Sequence, residues 1–149
     1  MRIALHEPDQ AGNVGTILRL AACLAVPVDI IEPCGFPWRD RALKRAGMDY
    51  AEIAAVTRHE SWHSFEARLS GRLVLLTTKA ALPLPSARFA PGDILLMGSE
   101  SRGAPDEVHA RADLRVRIPQ AAGTRSLNIA VAAGIALAEA LRQTNGWPG

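Results

Sequence analysis

Two histidines and a glutamate stand in the order His59-Glu60-Ser61-Trp62-His63. On a helix that spacing puts both imidazoles on one face, where they bind zinc with the glutamate as base. A catalytic zinc also needs a third protein ligand. The extended pattern asks for glycine at position 66 and histidine at 69, and the chain has Glu66 and Leu69. Ser61 is placed to cap the next helix, which leaves His59 outside it. The segment therefore reads as the start of a surface helix, and no metal is expected.

Gly12-Asn13-Val14-Gly15 follows a short apolar run and opens a helix. Helix N-termini bind anions. Glu32, twenty residues past Gly12, stands where a dinucleotide fold keeps its ribose acid. The full glycine fingerprint is absent, since Ile17 and Leu18 occupy the region of the third glycine. The plainer reading is a tight strand-to-helix turn. Arg19 falls one to two turns into this otherwise apolar helix, as a solvated edge residue or as a group reaching into a site.

Three further segments carry candidate groups. Met97-Gly98-Ser99-Glu100-Ser101-Arg102-Gly103-Ala104-Pro105 ends an apolar run in a loop with two glycines and a carboxylate. Gly98 and Gly103 permit close backbone approach to a ligand, or simply a crossover turn. Arg117-Ile118-Pro119 leads through a polar loop to Arg125-Ser126-Leu127-Asn128, where Ser126 or Asn128 is the cap of the last helix. Arg39, Arg41, Lys44 and Arg45 fall within seven positions, and Arg41, Lys44 and Arg45 share one helical face. That face is solvated by default and suits RNA phosphate in the functional reading.

The elements that must position these groups alternate. Strands are expected over 3–5, 28–31, 53–56, 73–77, 93–97 and 114–118, and helices over 13–24, 39–46, 61–69, 105–112 and 126–143. This alternation predicts an α/β fold with a mostly parallel sheet and helices on both faces. Ligands of such folds sit at the carboxyl ends of the strands, so the loops after Leu5, Thr77, Met97 and Ile118 come first. Ala130, Gly134 and Ala138 form a small-residue stripe on the last helix, with Leu127, Val131, Ile135 and Leu141 supplying apolar area. One side fits the sheet and another a second subunit, unless the whole helix is buried within one chain.

With 149 residues the chain fits one domain, 1–149, and 48% hydrophobic with 21% charged residues excludes a disordered chain. The longest nearly apolar stretch, 127–138, is too short to span a bilayer, so no membrane partner is expected. Cys23 and Cys34 cannot build a disulfide framework or a four-cysteine zinc site. They read as reduced core thiols of a cytoplasmic protein. A formal charge of +2 is compatible with nucleic acid but weak as an argument. All but Lys44 and Lys79 of the 17 basic residues are arginine, whose planar forks suit phosphate.

The order of the motifs is more specific than any one of them. Asn13-x-Gly15-x-x-x-Arg19, Gly98-x-Glu100-x-x-Gly103, and Ile118-Pro119 followed by Ser126-Leu127-Asn128 resemble the three signature motifs of SPOUT-class RNA methyltransferases. Glu32-Pro33-x-Gly35-Phe36, Arg45-Ala46-Gly47-Met48-Asp49-Tyr50 and Glu139-Ala140-Leu141-Arg142-Gln143 are similar to the minimal branch of that class, the tRNA (cytidine/uridine-2'-O)-methyltransferases. The resemblance covers essentially the whole chain. It departs at Ala138, where the branch has an aromatic residue, and at Met97 and Ala104, where phenylalanine and leucine are common.

This resemblance implies a C-terminal trefoil knot, a homodimer, and S-adenosyl-L-methionine held in the knot. It assigns cofactor contacts to Leu76, Thr77, Gly98, Glu100, Ile118, Ser126 and Leu127. It makes Arg19 the catalytic residue and the wobble ribose of leucine tRNAs the substrate, met at the anticodon stem-loop. Asn13, Arg41, Lys44, Arg45 and Asn128 are the RNA contacts in this reading, and no metal is required. The competing expectations are a dinucleotide-dependent oxidoreductase built on Gly12, Gly15 and Glu32, a knotted RNA-binding module without catalysis, and a zinc protease.

Overall fold

Leu73–Leu76 and Ile94–Met97 are apolar at every position and almost wholly buried. A strand of that composition needs partners on both edges and cover on both faces. The computed structural model, which describes residues 1–38 and 54–149, provides both. In chain order its elements are β1 (Arg2–His6), α1 (Ala11–Cys23), β2 (Val28–Ile31), β3 (Val56–His59), α2 (Trp62–Glu66), β4 (Leu73–Leu76), β5 (Leu82–Pro83), β6 (Ile94–Met97), α3 (Asp106–Arg111), β7 (Leu114–Arg117) and α4 (Ile129–Thr144). The strands form one sheet in the order β3-β2-β1-β6-β4-β7-β5, and every pairing is parallel. The expected helix over 39–46, with Arg41, Lys44 and Arg45, lies outside the described residues.

The pleat sends alternate side chains to opposite faces. Ile3, Leu5, Val28, Ile30, Val74, Leu95 and Met97 meet Val14, Ile17, Leu18 and Ala21 of α1 and Ala133, Ala136, Leu137 and Leu141 of α4. Ala4, Ile31, Leu73, Leu75, Ile94 and Leu96 meet Trp62 and Phe65 of α2 and Val108 of α3. Helices therefore cover both faces, as the alternation predicts. Each fully buried aliphatic side chain contributes about 1.5–3 kcal/mol. At the amino ends, Arg72 donates from Nε and Nη2 to the buried carboxylate of Asp93 at 2.9 and 2.7 Å, joining the starts of β4 and β6.

Several expectations need correction. The third strand is Val56–His59, not 53–56, because its register against β2 runs from Val28↔Val56 to Ile31↔His59. It is an edge strand with exposed Thr57 and Arg58, so no apolar run marks it. Helix α1 starts at Ala11, so Gly12-Asn13-Val14-Gly15 lies inside its first turns. Of the two proposed caps of α4, Asn128 accepts from Ala130 N and Val131 N, and Ser126 stays in the loop. Leu141 belongs to the core, while Leu127, Val131 and Ile135 are exposed. Cys23 is exposed on α1 rather than a core thiol, and Cys34 is half-buried.

His59 lies outside the helix, as expected, but is buried at the end of β3 rather than on the surface. Its Nε2 lies 2.8 Å from Asp29 Oδ1, Arg2 Nε donates to Asp29 Oδ2 at 2.8 Å, and Phe65 meets the imidazole edge-on at 5.1 Å. Ser61 does cap α2, accepting from Ser64 N at 3.1 Å. The two histidines of the zinc-like pattern thus sit on different elements, β3 and α2. Among the described residues no group of three or more His, Cys, Asp or Glu is placed to hold a metal ion. No helix among them is long and apolar enough to cross a membrane.

His6 ends β1 with its ring edge-on to Trp62 at 5.7 Å. Burial pushes its pKa below the ordinary value, against the opposing pull of Glu7 and Glu107. The folded chain therefore keeps His6 neutral at a pH where the unfolded chain protonates it. The stability this contributes is complete above about pH 6.5 and is lost as the pH falls below that value. The melting temperature should fall between about pH 7.5 and about pH 5.5, and His6→Phe should flatten that slope. Equal slopes for the two proteins in thermal melts would refute the assignment.

Candidate functional site

Parallel pairing puts all strand ends of one kind along one edge of the sheet. At that edge the carboxyl ends of β6, β4 and β7, which are neighbours, open into a cleft of ≈ 500 Å³. This is the size of a small-molecule site. Strand β4 contributes Leu76 and Thr77, β6 contributes Met97 through Glu100, and β7 contributes Val116 and Ile118. Ser126, Leu127 and Asn128 come from the approach to α4, and Gln10 and Asn13 from the start of α1. All seven residues expected at the cofactor thus line one cleft, together with Asn13 and Asn128.

Its floor depends on glycine. A Cβ on Gly98 would stand 2.4 Å from Ala104 N and 2.4 Å from the Gly103 carbonyl carbon. The loop folds back this tightly because Ser99 and Gly103 exchange backbone hydrogen bonds at 3.2 and 2.9 Å. Gly103 takes φ +68°, a conformation that glycine adopts without strain. On the opposite wall Gln120 braces the polar loop, accepting from Leu127 N at 3.1 Å and donating to Arg125 O at 3.0 Å.

A polar chain links three segments across the cleft. Glu100 Oε2 accepts from Asp9 N at 2.8 Å, and its Oε1 accepts from Asn13 Nδ2 at 3.4 Å. Asn128 Nδ2 then donates to Asn13 Oδ1 at 3.0 Å, while its own Oδ1 caps α4. Burial pushes the Glu100 carboxyl above its ordinary range, and the neighbouring Asp9 side chain pushes it the same way. Hydrogen bonding with Glu100 and Ser101 holds Asp9 down. Of the two carboxyls, Glu100 keeps its proton to the higher pH.

Arg19 is exposed on α1 and is not among the residues that line the cleft. The cationic groups that do line it are Lys79 and Arg102, with His109. Arg102 is 69% exposed and reaches Glu7 at 3.3 Å. Residue-by-residue reading missed Lys79, Arg102 and Asp9. Their only mark in the sequence is a place in the loop after a buried strand. Glu32, weighed as a ribose acid, is instead engaged by Arg58. With Gly15 buried within α1, the dinucleotide alternative has no phosphate turn to stand on. A second groove runs along α4 between Leu84, Pro85, Ile135, Ala138 and Trp147, beside the exposed Val131.

Gly98→Ala drives a methyl into backbone on both sides, so neither neighbour can yield by a rotamer change. The variant should lose about 1–3 kcal/mol in chemical denaturation. A loss under about 0.5 kcal/mol, the range of ordinary surface changes, would refute the close packing.

The chain matches the model of the SpoU rRNA Methylase family over residues 1–138. It is 55% identical, over 95% of its length and 90% of the relative's, to a Beijerinckia indica protein named tRNA (cytidine(34)-2'-O)-methyltransferase. The Escherichia coli K12 protein of the same name is 41% identical over 100% of this chain and 96% of that one. A solved structure described as giving structural insights into the 2-OH methylation of C/U34 on tRNA superposes with a TM-score of 0.91. It shares 40% identity and covers 97% of this chain and 96% of its own. An AdoMet-bound rRNA methyltransferase from Sinorhizobium meliloti superposes with a TM-score of 0.78 at 28% identity, over 95% of this chain and 55% of that one. Sequence and fold agree, and the chain belongs to the SpoU rRNA methylase family.

Proposed function

We propose that this chain is a tRNA ribose 2'-O-methyltransferase that uses S-adenosyl-L-methionine and modifies the wobble cytidine or uridine of leucine tRNAs, held by the anticodon stem-loop. The observation that carries the reading is the meeting of Leu76, Thr77, Gly98, Glu100, Ile118, Ser126 and Leu127 with Asn13 and Asn128 in one cleft at the strand ends. Relatives named for position 34 of tRNA, at 55% and 41% identity, support the substrate.

The cleft fits the cofactor. Leu76, Ile118 and Leu127 offer an apolar wall, Thr77 and Ser126 offer hydroxyls, and the missing side chain at Gly98 lets a ligand approach the backbone. When bound, S-adenosyl-L-methionine would supply a methyl on a positive sulfonium and leave as a neutral thioether, and the ribose 2'-hydroxyl that accepts the methyl would release its proton to solvent. The chain's own residues align and stabilise. Alignment alone is worth roughly 7–11 kcal/mol. Arginine has a pKa of about 12.5 or higher, so Arg19 does not act as a simple base. It holds the adjacent phosphate and stabilises charge developing on the 2'-oxygen. Lys79 and Arg102 on the cleft add phosphate contacts, and Arg41, Lys44 and Arg45 extend them on sequence grounds.

In this reading one domain, 1–149, carries the reaction, with its C-terminal part threaded as a trefoil knot. Two copies pair over the exposed α4 surface of Val131 and Ile135, and that pairing completes the site in which Arg19 acts. An anticodon substrate fits a cytoplasmic enzyme, and this reading takes it to act as a homodimer.

Labelled S-adenosyl-L-methionine and unmodified bulk tRNA, followed by nucleoside mass spectrometry, test the reading. The expected product is 2'-O-methylated cytidine or uridine in leucine tRNA, with kcat lowered about 10²–10³-fold in Arg19→Ala, the size of a lost oxyanion contact. Cofactor and tRNA binding without transfer would identify a knotted binding module instead. Absence of both would overturn the reading.

A further inference from the structure

We infer that Arg58, laid over Trp38, is a stacking platform for one nucleobase of the substrate tRNA, next to the nucleotide held in the cleft. The inference rests on the tRNA reading above and adds a binding site outside the transfer machinery.

Phe36 and Trp38, in the loop beyond β2, meet Arg58 of the edge strand β3. Phe36 and Trp38 stack with centroids 6.3 Å apart and planes 24° from parallel. The Arg58 guanidinium carbon lies 4.9 Å from the Trp38 ring centroid. Glu32 accepts from Arg58 Nη2 and fixes the guanidinium from the side. With these contacts made, 43% of the Arg58 side chain remains exposed. A flat cation is thus already oriented on an aromatic ring, and part of it is open.

The platform is tied to the cleft. Gly35 N donates to Pro8 O at 2.9 Å, and a Cβ on Gly35 would stand 2.5 Å from the Asp9 Cβ. The aromatic loop is therefore pressed against the turn that leads into Gln10, which lines the cleft. All strand ends point the same way, and β2 and β3 lie two and three places from β6 in the sheet. At the usual strand spacing that is about 10–15 Å, within reach of a neighbouring nucleotide in an unstacked loop.

The chemistry selects a base as the occupant. Splayed bases of RNA loops stack on aromatic rings and on arginine planes. A guanidinium offers the plane and a charge that suits phosphate, and lysine offers only the charge. A purely structural role gives little reason for the arrangement, since an exposed ion pair stabilises by about 0–1 kcal/mol.

The test uses full-length protein and leucine tRNA carrying 2-aminopurine in turn on each side of the methylated nucleotide. Wild type should quench one of the two probes on binding. Arg58→Lys and Arg58→Gln should both lose that quench and raise KM for tRNA about ten-fold, the size of one lost stack. The KM for S-adenosyl-L-methionine, kcat at saturating tRNA and the melting temperature should stay within two-fold or a few degrees. Wild-type quench and KM in Arg58→Lys would show that charge alone acts, and would overturn the platform while leaving the tRNA reading intact. Failure of wild type to bind or methylate tRNA would remove both. Trp38→Leu serves as the second variant, and retention of the quench in it would likewise overturn the platform.

Discussion

Strand β6 is the constraint on which the rest of the structure depends. It is hydrogen-bonded to β1 on one edge and β4 on the other, and all four of its side chains are buried. A strand closed on both edges and both faces admits a polar side chain only where it is paired, as Asp29 is in β2, and β6 carries none. Chemistry can begin only at the first residue beyond the pairing, which is Gly98. The polar groups of the site therefore come from the loops after β4, β6 and β7, from α3 and from the starts of α1 and α4, never from the strands themselves. The Arg72–Asp93 clamp fixes the other end of β6, so the loop departs from an anchored base.

That loop is held by a short polar chain rather than by apolar packing. Glu100 reaches Asn13 across a sequence separation of 87, and Asn13 reaches Asn128 across 115. Each such bond contributes only about 0.5–1.5 kcal/mol net, less than one buried leucine. Their value lies in register. Asn128 caps α4 with one amide atom and locates α1 with the other, so two helices and the strand-end loop share one set of coordinates. Burial and the neighbouring Asp9 raise the Glu100 pKa, while hydrogen bonding with Glu100 and Ser101 lowers that of Asp9, so the two carboxyls of this chain are pushed apart.

The buried centre of the fold was legible in the residues. Continuous apolar runs marked β4 and β6 because both faces had to be covered, and the α1 stripe of Val14, Ile17, Leu18 and Ala21 marked a helix by its period. The edges were not. Strand β3 alternates exposed polar residues with His59, and β5 has only two residues, so neither carries a periodic pattern. The Asp29–His59 pair spans 30 residues, and nothing local announces that a histidine will be buried on a carboxylate. At the site, Gly98, Ser126 and Asn128 were legible by motif order, whereas Asp9, Lys79 and Arg102 matter only because the topology brings three loops together. The start of α1 was misplaced by two residues because Gln10, its cap residue, makes no side-chain cap bond.

Charge arithmetic explains why the RNA contacts must be local. A formal charge of +2 over 149 residues gives little general attraction for a polyanion. Non-specific affinity grows with the number of phosphates neutralised, which is set by the cationic groups that touch the RNA and not by the net charge. Selection of one loop nucleotide must then rest on a few oriented contacts near the cleft. Arginine suits that task better than lysine, because its plane stacks on bases and its fork matches phosphate in two hydrogen bonds. Its charge also does not titrate near neutral pH, unlike the neutral, buried His6 at the end of β1. In the proposed reading the strand ends position the cleft, and permanently charged planar groups around it present the RNA.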